Sequence, residues 1–166
     1  MKDYQAKNIR NLCVVGHGSE GKTTLVEALL FTAGVIDRQG RVEDGSTTTD
    51  YDQEEVRRHI SISAAMAPLE WKDTKINLID VPGYFDFAGE QVGPMAVSEA
   101  ALITVGAVSG LSVGAEKAWA LCDKTHTARM IVINQMDRDN ANFAKALGTI
   151  TEKYGSHIAP IEVPIV

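Results

Sequence analysis

The amino-acid sequence predicts an α/β domain of three layers, α/β/α, with a mostly parallel sheet between helices. Three observations carry that class. Short runs rich in β-branched residues alternate with helical stripes from one end to the other. The first run passes through a glycine-rich turn straight into the first stripe. With 166 residues, 45% of them apolar, and no repeat or linker, the chain suits one soluble globular domain. A chain of that size buries roughly 68–70% of its unfolded surface, enough for a core without disulfide or metal.

The elements follow in order. Ile9 to Val15 forms a short buried strand, and Lys22 to Gly34 a helix whose Leu25, Ala28, Leu29 and Ala33 share one face. From Asp37 to Arg58 large apolar side chains are few, so this stretch is expected to be a long polar loop, mobile until something binds. Ile60 to Leu69 and Lys75 to Val81 make a hairpin around Lys72-Asp73-Thr74. Phe87 to Ala100 is expected to be helical, broken or restarted at Gly93-Pro94, because proline lacks a backbone donor and crowds the preceding turn. Ala101 to Val108 is the next strand, and Ala115, Ala118, Trp119 and Cys122 recur at helical spacing after it. Met130 to Ile133 is an apolar strand ending at Asn134. Phe143, Ala146, Leu147, Ile150 and Tyr154 then make the clearest helical stripe.

Composition excludes several function classes. Sixteen Lys and Arg against 22 Asp and Glu leave a net charge of −6 and no basic stripe, which argues against autonomous DNA or RNA binding. The longest mostly apolar stretch, Ala100 to Val108, falls well short of the ~18 residues that span a bilayer. The polar N-terminus has no apolar run after its charges, so a cytoplasmic location is expected. Cys13 and Cys122 belong to no Cys-x-x-Cys or Cys/His cluster and are expected to be buried, reduced thiols. His59, His126 and His157 are isolated and polar-flanked, and the Arg57-Arg58 pair is expected on a solvated face.

Chemistry concentrates at three sites. Gly16-His17-Gly18-Ser19-Glu20-Gly21-Lys22-Thr23, with Thr24 next, fits G-x-x-x-x-G-K-[ST] between a strand and a helix, the context a phosphate-binding loop requires. Gly16 and Gly21 free the backbone to approach a polyphosphate, whose charge meets loop N–H groups and the positive helix end. Lys22 adds a cation, and the Thr23 hydroxyl suits Mg²⁺, a hard ion that prefers oxygen. This loop says nucleoside triphosphate and leaves adenine or guanine open. Asp80-Val81-Pro82-Gly83, at a strand end, matches D-x-x-G, in which Asp80 holds Mg²⁺ through water and the Gly83 N–H reaches the γ-phosphate. At Asn134-Gln135-Met136-Asp137 another strand emerges, and the Asp137 carboxylate suits N1–H and the 2-amino group of guanine in a charge-assisted bidentate pair.

In chain order, these sites make the sequence resemble the nucleotide-binding domain of the translational GTPases, a P-loop NTPase fold, and within them the elongation factor G group. Asp50 to Ile62 resembles the first switch, where Ser61 takes the place of the Mg²⁺-closing Thr; the stretch from Val108 to Lys117, the entry Asn134 to Phe143 and the segment Pro160 to Ile165 are similar to the family's as well. The resemblance implies GTP and GDP with Mg²⁺ as ligands and a ribosome-binding multidomain factor of which this is the N-terminal portion. It also implies a domain cut before the last guanine motif. Lys22, Gly83 and the residue after Gly83 are the hydrolytic positions it implies.

Four positions depart from the family pattern. Tyr84 stands where the family has the His that orients the attacking water, Ser19 replaces an Asp, Gln135 replaces a Lys, and Ser61 replaces the switch Thr. A phenol stays neutral and differs in reach from an imidazole, so slow hydrolysis is expected, with binding intact. The alternatives are a GTP-binding regulatory or scaffold module without effective hydrolysis, and a P-loop ATPase of another lineage.

Overall fold

The computed structural model describes residues 2–165. Five strands form one sheet: β1 (Ile9–Gly16), β2 (Ala65–Trp71), β3 (Thr74–Asp80), β4 (Ala100–Gly106) and β5 (Ala128–Asn134). Their order across the sheet is β2-β3-β1-β4-β5. Strand β1 runs parallel to β3 and β4, and β4 parallel to β5, while β2 pairs antiparallel at the edge. The hairpin is tighter than expected: Trp71 pairs with Thr74, and only Lys72 and Asp73 turn, both with positive φ as two-residue hairpins demand. Strand β2 also starts at Ala65 rather than Ile60, because the Ile62 and Ser63 N–H groups donate to the Glu55 carboxylate and not to a neighbouring strand.

The helices are α1 (Lys22–Thr32), α2 (Gln53–Arg58), α3 (Val92–Val97), α4 (Val113–Thr125) and α5 (Phe143–Tyr154). Period-two alternation sorts β1 between two cores. Val14 faces α1, joining Val26, Leu30, Leu69 and Leu78. Cys13 and Val15 face the opposite side, where Met95 of α3, Ala115 and Ala118 of α4 and Ile150 of α5 close the larger core. Trp119 and Tyr154 stack with ring centroids 3.8 Å apart and lock α4 to α5. Both cysteines are free and buried.

Two further expectations change. The segment from Phe87 to Ala100 is not one helix: residues 85–91 wind as 3₁₀ turns, α3 begins at Val92, and Ala100 already belongs to β4. Gly93-Pro94 starts a helix here, since proline within a first turn lacks only a donor that has no partner there anyway. The polar stretch 37–58 is built rather than structureless. It carries α2, and Thr47, Thr49, Asp50 and Glu55 within it are buried. Glu27 of α1, only 1% exposed, anchors it by accepting from the Gly40 N–H at 2.7 Å and the Thr48 N–H at 2.6 Å.

Candidate functional site

The parallel strands bring their C-terminal ends to one edge of the domain, where ligands of open α/β sheets bind. There β1 ends in the loop 16–21, β3 in Asp80, and β5 in Asn134. Helices α2, α4 and α5 are capped by the side chains of Asp52, Ser112 and Asn142. Helix α1 has no side-chain cap; left-handed Gly21, φ 78°, precedes it, leaving its first-turn N–H groups to the loop face.

Contacts from distant elements brace the loop. Asn134 donates from Nδ2 to the Glu20 carbonyl at 2.9 Å and the Gly21 carbonyl at 3.3 Å, and Gln135 Nε2 donates to the Ser19 carbonyl at 2.9 Å. Glu20, expected as a loop residue, is itself buried and accepts from the His17 N–H at 3.1 Å. Burial raises its carboxyl above the ordinary range, with Ser112 the main opposing influence. His17 packs its ring 5.6 Å from Phe85. A cleft of about 570 Å³ opens beside the loop, lined by residues that include His17, Ser19, Glu20 and Gln135. Thr24 and Asp137 lie exposed at the surface.

Lys22 is buried and its Nζ donates to the His17 carbonyl at 2.8 Å. Burial lowers its pKa, while Asp80 and Glu20 nearby oppose that. Gly83 packs so closely on Lys22 Nζ and the Gly18 N–H that a Cβ there would overlap both. Tyr84 follows, with its hydroxyl 3.1 Å from Ser19 Oγ.

Oxygen atoms gather below Lys22. Thr23 Oγ1 and Ser61 Oγ lie 3.2 Å apart although 38 positions separate them in the chain. Asp80, 1% exposed, accepts from the Thr49 hydroxyl at 2.8 Å through Oδ2, while its buried Oδ1 has no hydrogen-bond partner. Burial raises the Asp80 carboxyl, opposed by Thr23 and Thr49. Asp50 is also buried with an unpartnered Oδ2, and burial, then Asp80 and Glu55, push its pKa up to about 6 against the Ser61 hydroxyl. Two orphaned carboxylate oxygens beside two hydroxyls suit a hard cation, the donor set Mg²⁺ prefers. No cluster of three or more His, Cys, Asp or Glu that could hold a metal alone occurs among the described residues, so other ligands would complete the shell.

Sequence inspection missed Thr49, Asp50 and Glu27. Glu27 had a signal: it follows Thr23 by four and precedes Leu30 by three, on the buried stripe of α1. Thr49 had none, and Asp50 only its place at the head of the switch-like stretch 50–62, because their burial comes from a loop folding back onto β3.

The family model described as the elongation factor Tu GTP binding domain matches residues 7–164. An elongation factor G of Granulibacter bethesdensis is 39% identical over 165 residues, covering 99% of this chain and 24% of that protein. A protein of Mycobacterium tuberculosis described as elongation factor G-like is 36% identical over 156 residues, covering 94% of this chain and 22% of its own length. The chain thus spans about a quarter of the length of these relatives. A crystal structure from Thermus thermophilus superposes with a TM-score of 0.90 at 39% identity, over 95% of this chain and 24% of that one. Elongation factor SelB of Methanococcus maripaludis, solved with the GTP analogue GppNHp, superposes with a TM-score of 0.66 at 22% identity, over 92% of this chain and 26% of its own, a likeness of fold.

Proposed function

We propose, for a chain that belongs to the elongation factor Tu GTP-binding domain family, that it binds GTP and GDP with Mg²⁺ and hydrolyses GTP slowly as the amino-terminal part of a ribosome-associated, cytoplasmic factor. The observation that carries this is the convergence of Lys22, Thr23, Ser61 and Asp80 beneath an uncapped helix start. Loop amides and the α1 N-terminus take the phosphate oxygens, and Lys22 answers the β- and γ-phosphates with a charge already desolvated. Thr23 and Ser61 would hold Mg²⁺ directly and Asp80 through water; when bound, the ion neutralises phosphate charge. Asp50, beside them, supports that site with a second carboxylate. The Gly83 N–H faces the γ-phosphate position. Asp137 reads guanine, with Asn134 and Gln135 fixing the loop beneath it. Among the described residues no helix is long and apolar enough to cross a membrane.

Competition of GTP, GDP and ATP against a fluorescent guanine nucleotide with Mg²⁺ tests the binding. GTP and GDP should displace it at least about tenfold more effectively than ATP, as loss of a charge-assisted bidentate pair dictates; equal displacement by ATP would overturn the guanine assignment and favour an ATPase.

A second reading has its own observation. The Tyr84 hydroxyl is engaged by Ser19 rather than free to orient a water, which favours a GTP-binding regulatory module without effective hydrolysis. Single-turnover hydrolysis by the full-length protein with ribosomes separates the two. A measurable parental rate, rising about 10²–10⁴-fold in Tyr84→His as for other positioned catalytic groups, supports slow hydrolysis. No parental turnover, with gain in the variant, supports the regulatory module.

A further inference from the structure

Three of the positions that depart from the family pattern touch one another. Gln135 Nε2 donates to the Ser19 carbonyl at 2.9 Å, and Ser19 Oγ lies 3.1 Å from the Tyr84 hydroxyl. The Tyr84 ring lies on Gly18, where a Cβ would come within 2.9–3.0 Å of three ring carbons. Gly18 has no positive φ, so what that position requires is the absence of a side chain under the ring. The next residue, Phe85, is held from two sides, by the His17 ring at 5.6 Å between centroids and by Lys117 Nζ 3.9 Å over its face.

We propose that Tyr84, Gly18 and Ser19 form a latch that keeps residues 83–85 docked on the phosphate loop whether or not a γ-phosphate is present. Every contact named is made by the polypeptide itself, and together they set Gly83 against Lys22 and the Gly18 N–H. The consequence rests on the reading that the Gly83 N–H meets the γ-phosphate. A ligand that selects a docked segment binds more weakly in proportion to how seldom the segment is docked. The latch therefore raises GTP affinity relative to GDP, and it makes the segment respond little to the exchange of one for the other. Tyr84 is a positioning residue in this scheme, acting through Gly83.

The test uses the full-length protein with Tyr84→Phe, Ser19→Ala, the double variant and Gly18→Ala. Amide hydrogen exchange is followed in the peptide covering 83–87 after nucleotide is stripped, with GDP, and with a non-hydrolysable GTP analogue, Mg²⁺ present. The parent should show equal protection in all three states. Tyr84→Phe and Ser19→Ala should lose protection except with the GTP analogue. Affinity for the GTP analogue should fall roughly two- to tenfold more than affinity for GDP in each, the range of a single hydrogen bond. The double variant should be no worse than either single one, since one shared bond is removed. Gly18→Ala, which lifts the ring off the loop, should open the segment further. Protection in the parent that appears only with the GTP analogue, or unaltered protection in both single variants, overturns the latch. Absence of guanine-nucleotide binding would instead sink the functional reading, while the exchange pattern of the stripped protein still decides whether the latch exists.

Discussion

The two ends of the proposed nucleotide cleft are built differently. At the phosphate end Lys22, Thr23, Glu20 and Asp80 are all less than one-tenth exposed, and contacts from β3, β5 and the 47–61 segment hold them. At the base end Asp137 is exposed, and the amides of Asn134 and Gln135 beside it are turned back onto the loop. On the proposed reading, phosphate contacts would thus come from the folded core, whereas the base contact would be a surface carboxylate mounted on it. Desolvated charges interact strongly but unsettle the fold when a partner is removed; an exposed carboxylate can be changed without disturbing the core.

Lys22→Ala gives the largest expected effect. It should weaken GTP and GDP alike by about 10- to 150-fold, the range for hydrogen bonds to charged groups, in titrations with a fluorescent nucleotide. Asp80 loses in that variant the cation that opposes its desolvation, so the thermal midpoint should fall as well. A change in base preference larger than the change in overall affinity would erase the distinction between the two ends. Asp137→Ala sharpens it from the other side: the preference for GTP over ATP should drop about tenfold or more, with the unfolding midpoint unmoved.

Glu27→Ala probes how the phosphate end is assembled. Removing the carboxylate that receives the Gly40 and Thr48 N–H groups should cost about 1–3 kcal/mol in urea unfolding. Limited proteolysis should then cut within residues 37–58 before the rest of the chain. Uniform resistance to protease would mean that other contacts hold the segment.

Cys122, buried in the larger core near the C-terminal end of α4, carries an effect seen only at alkaline pH. Burial pushes the Cys122 thiol up to about 11, above the value of about 8.5 for an unfolded cysteine. A raised acid pKa favours the folded state fully below the unfolded value, and that advantage drains away as pH climbs through about 8.5 toward 11. Urea midpoints should therefore decline between about pH 8 and pH 10.5 more in the parent than in Cys122→Ala. Parallel slopes would show that this thiol is not protected.

Legibility in the sequence follows the same division. The loop 16–23 is readable because its constraints are local: glycine where φ turns positive, a lysine and a hydroxyl at fixed offsets, a strand before and a helix after. Periodicity places the parallel strands and the helix stripes for a similar reason. The segment 37–58 reads as a mobile loop because its buried groups are polar, and composition does not distinguish a threonine facing water from Thr49 facing Asp80. The stretch 87–100 reads as a broken or restarted helix because proline disrupts a helix interior yet is tolerated in a first turn, and only the chain path says which applies.

By itself, then, the sequence determined the α/β class, the order of the elements and the phosphate-binding loop, all products of short-range sterics and of spacing along the chain. Tertiary structure alone decided that Ser61 meets Thr23, that Asp50 joins Asp80, and that Gln135, Ser19 and Tyr84 connect across 116 and 65 positions of chain. Those meetings depend on strand register and on how each loop leaves the sheet. Such quantities are set by packing of the whole domain, and no local pattern encodes them.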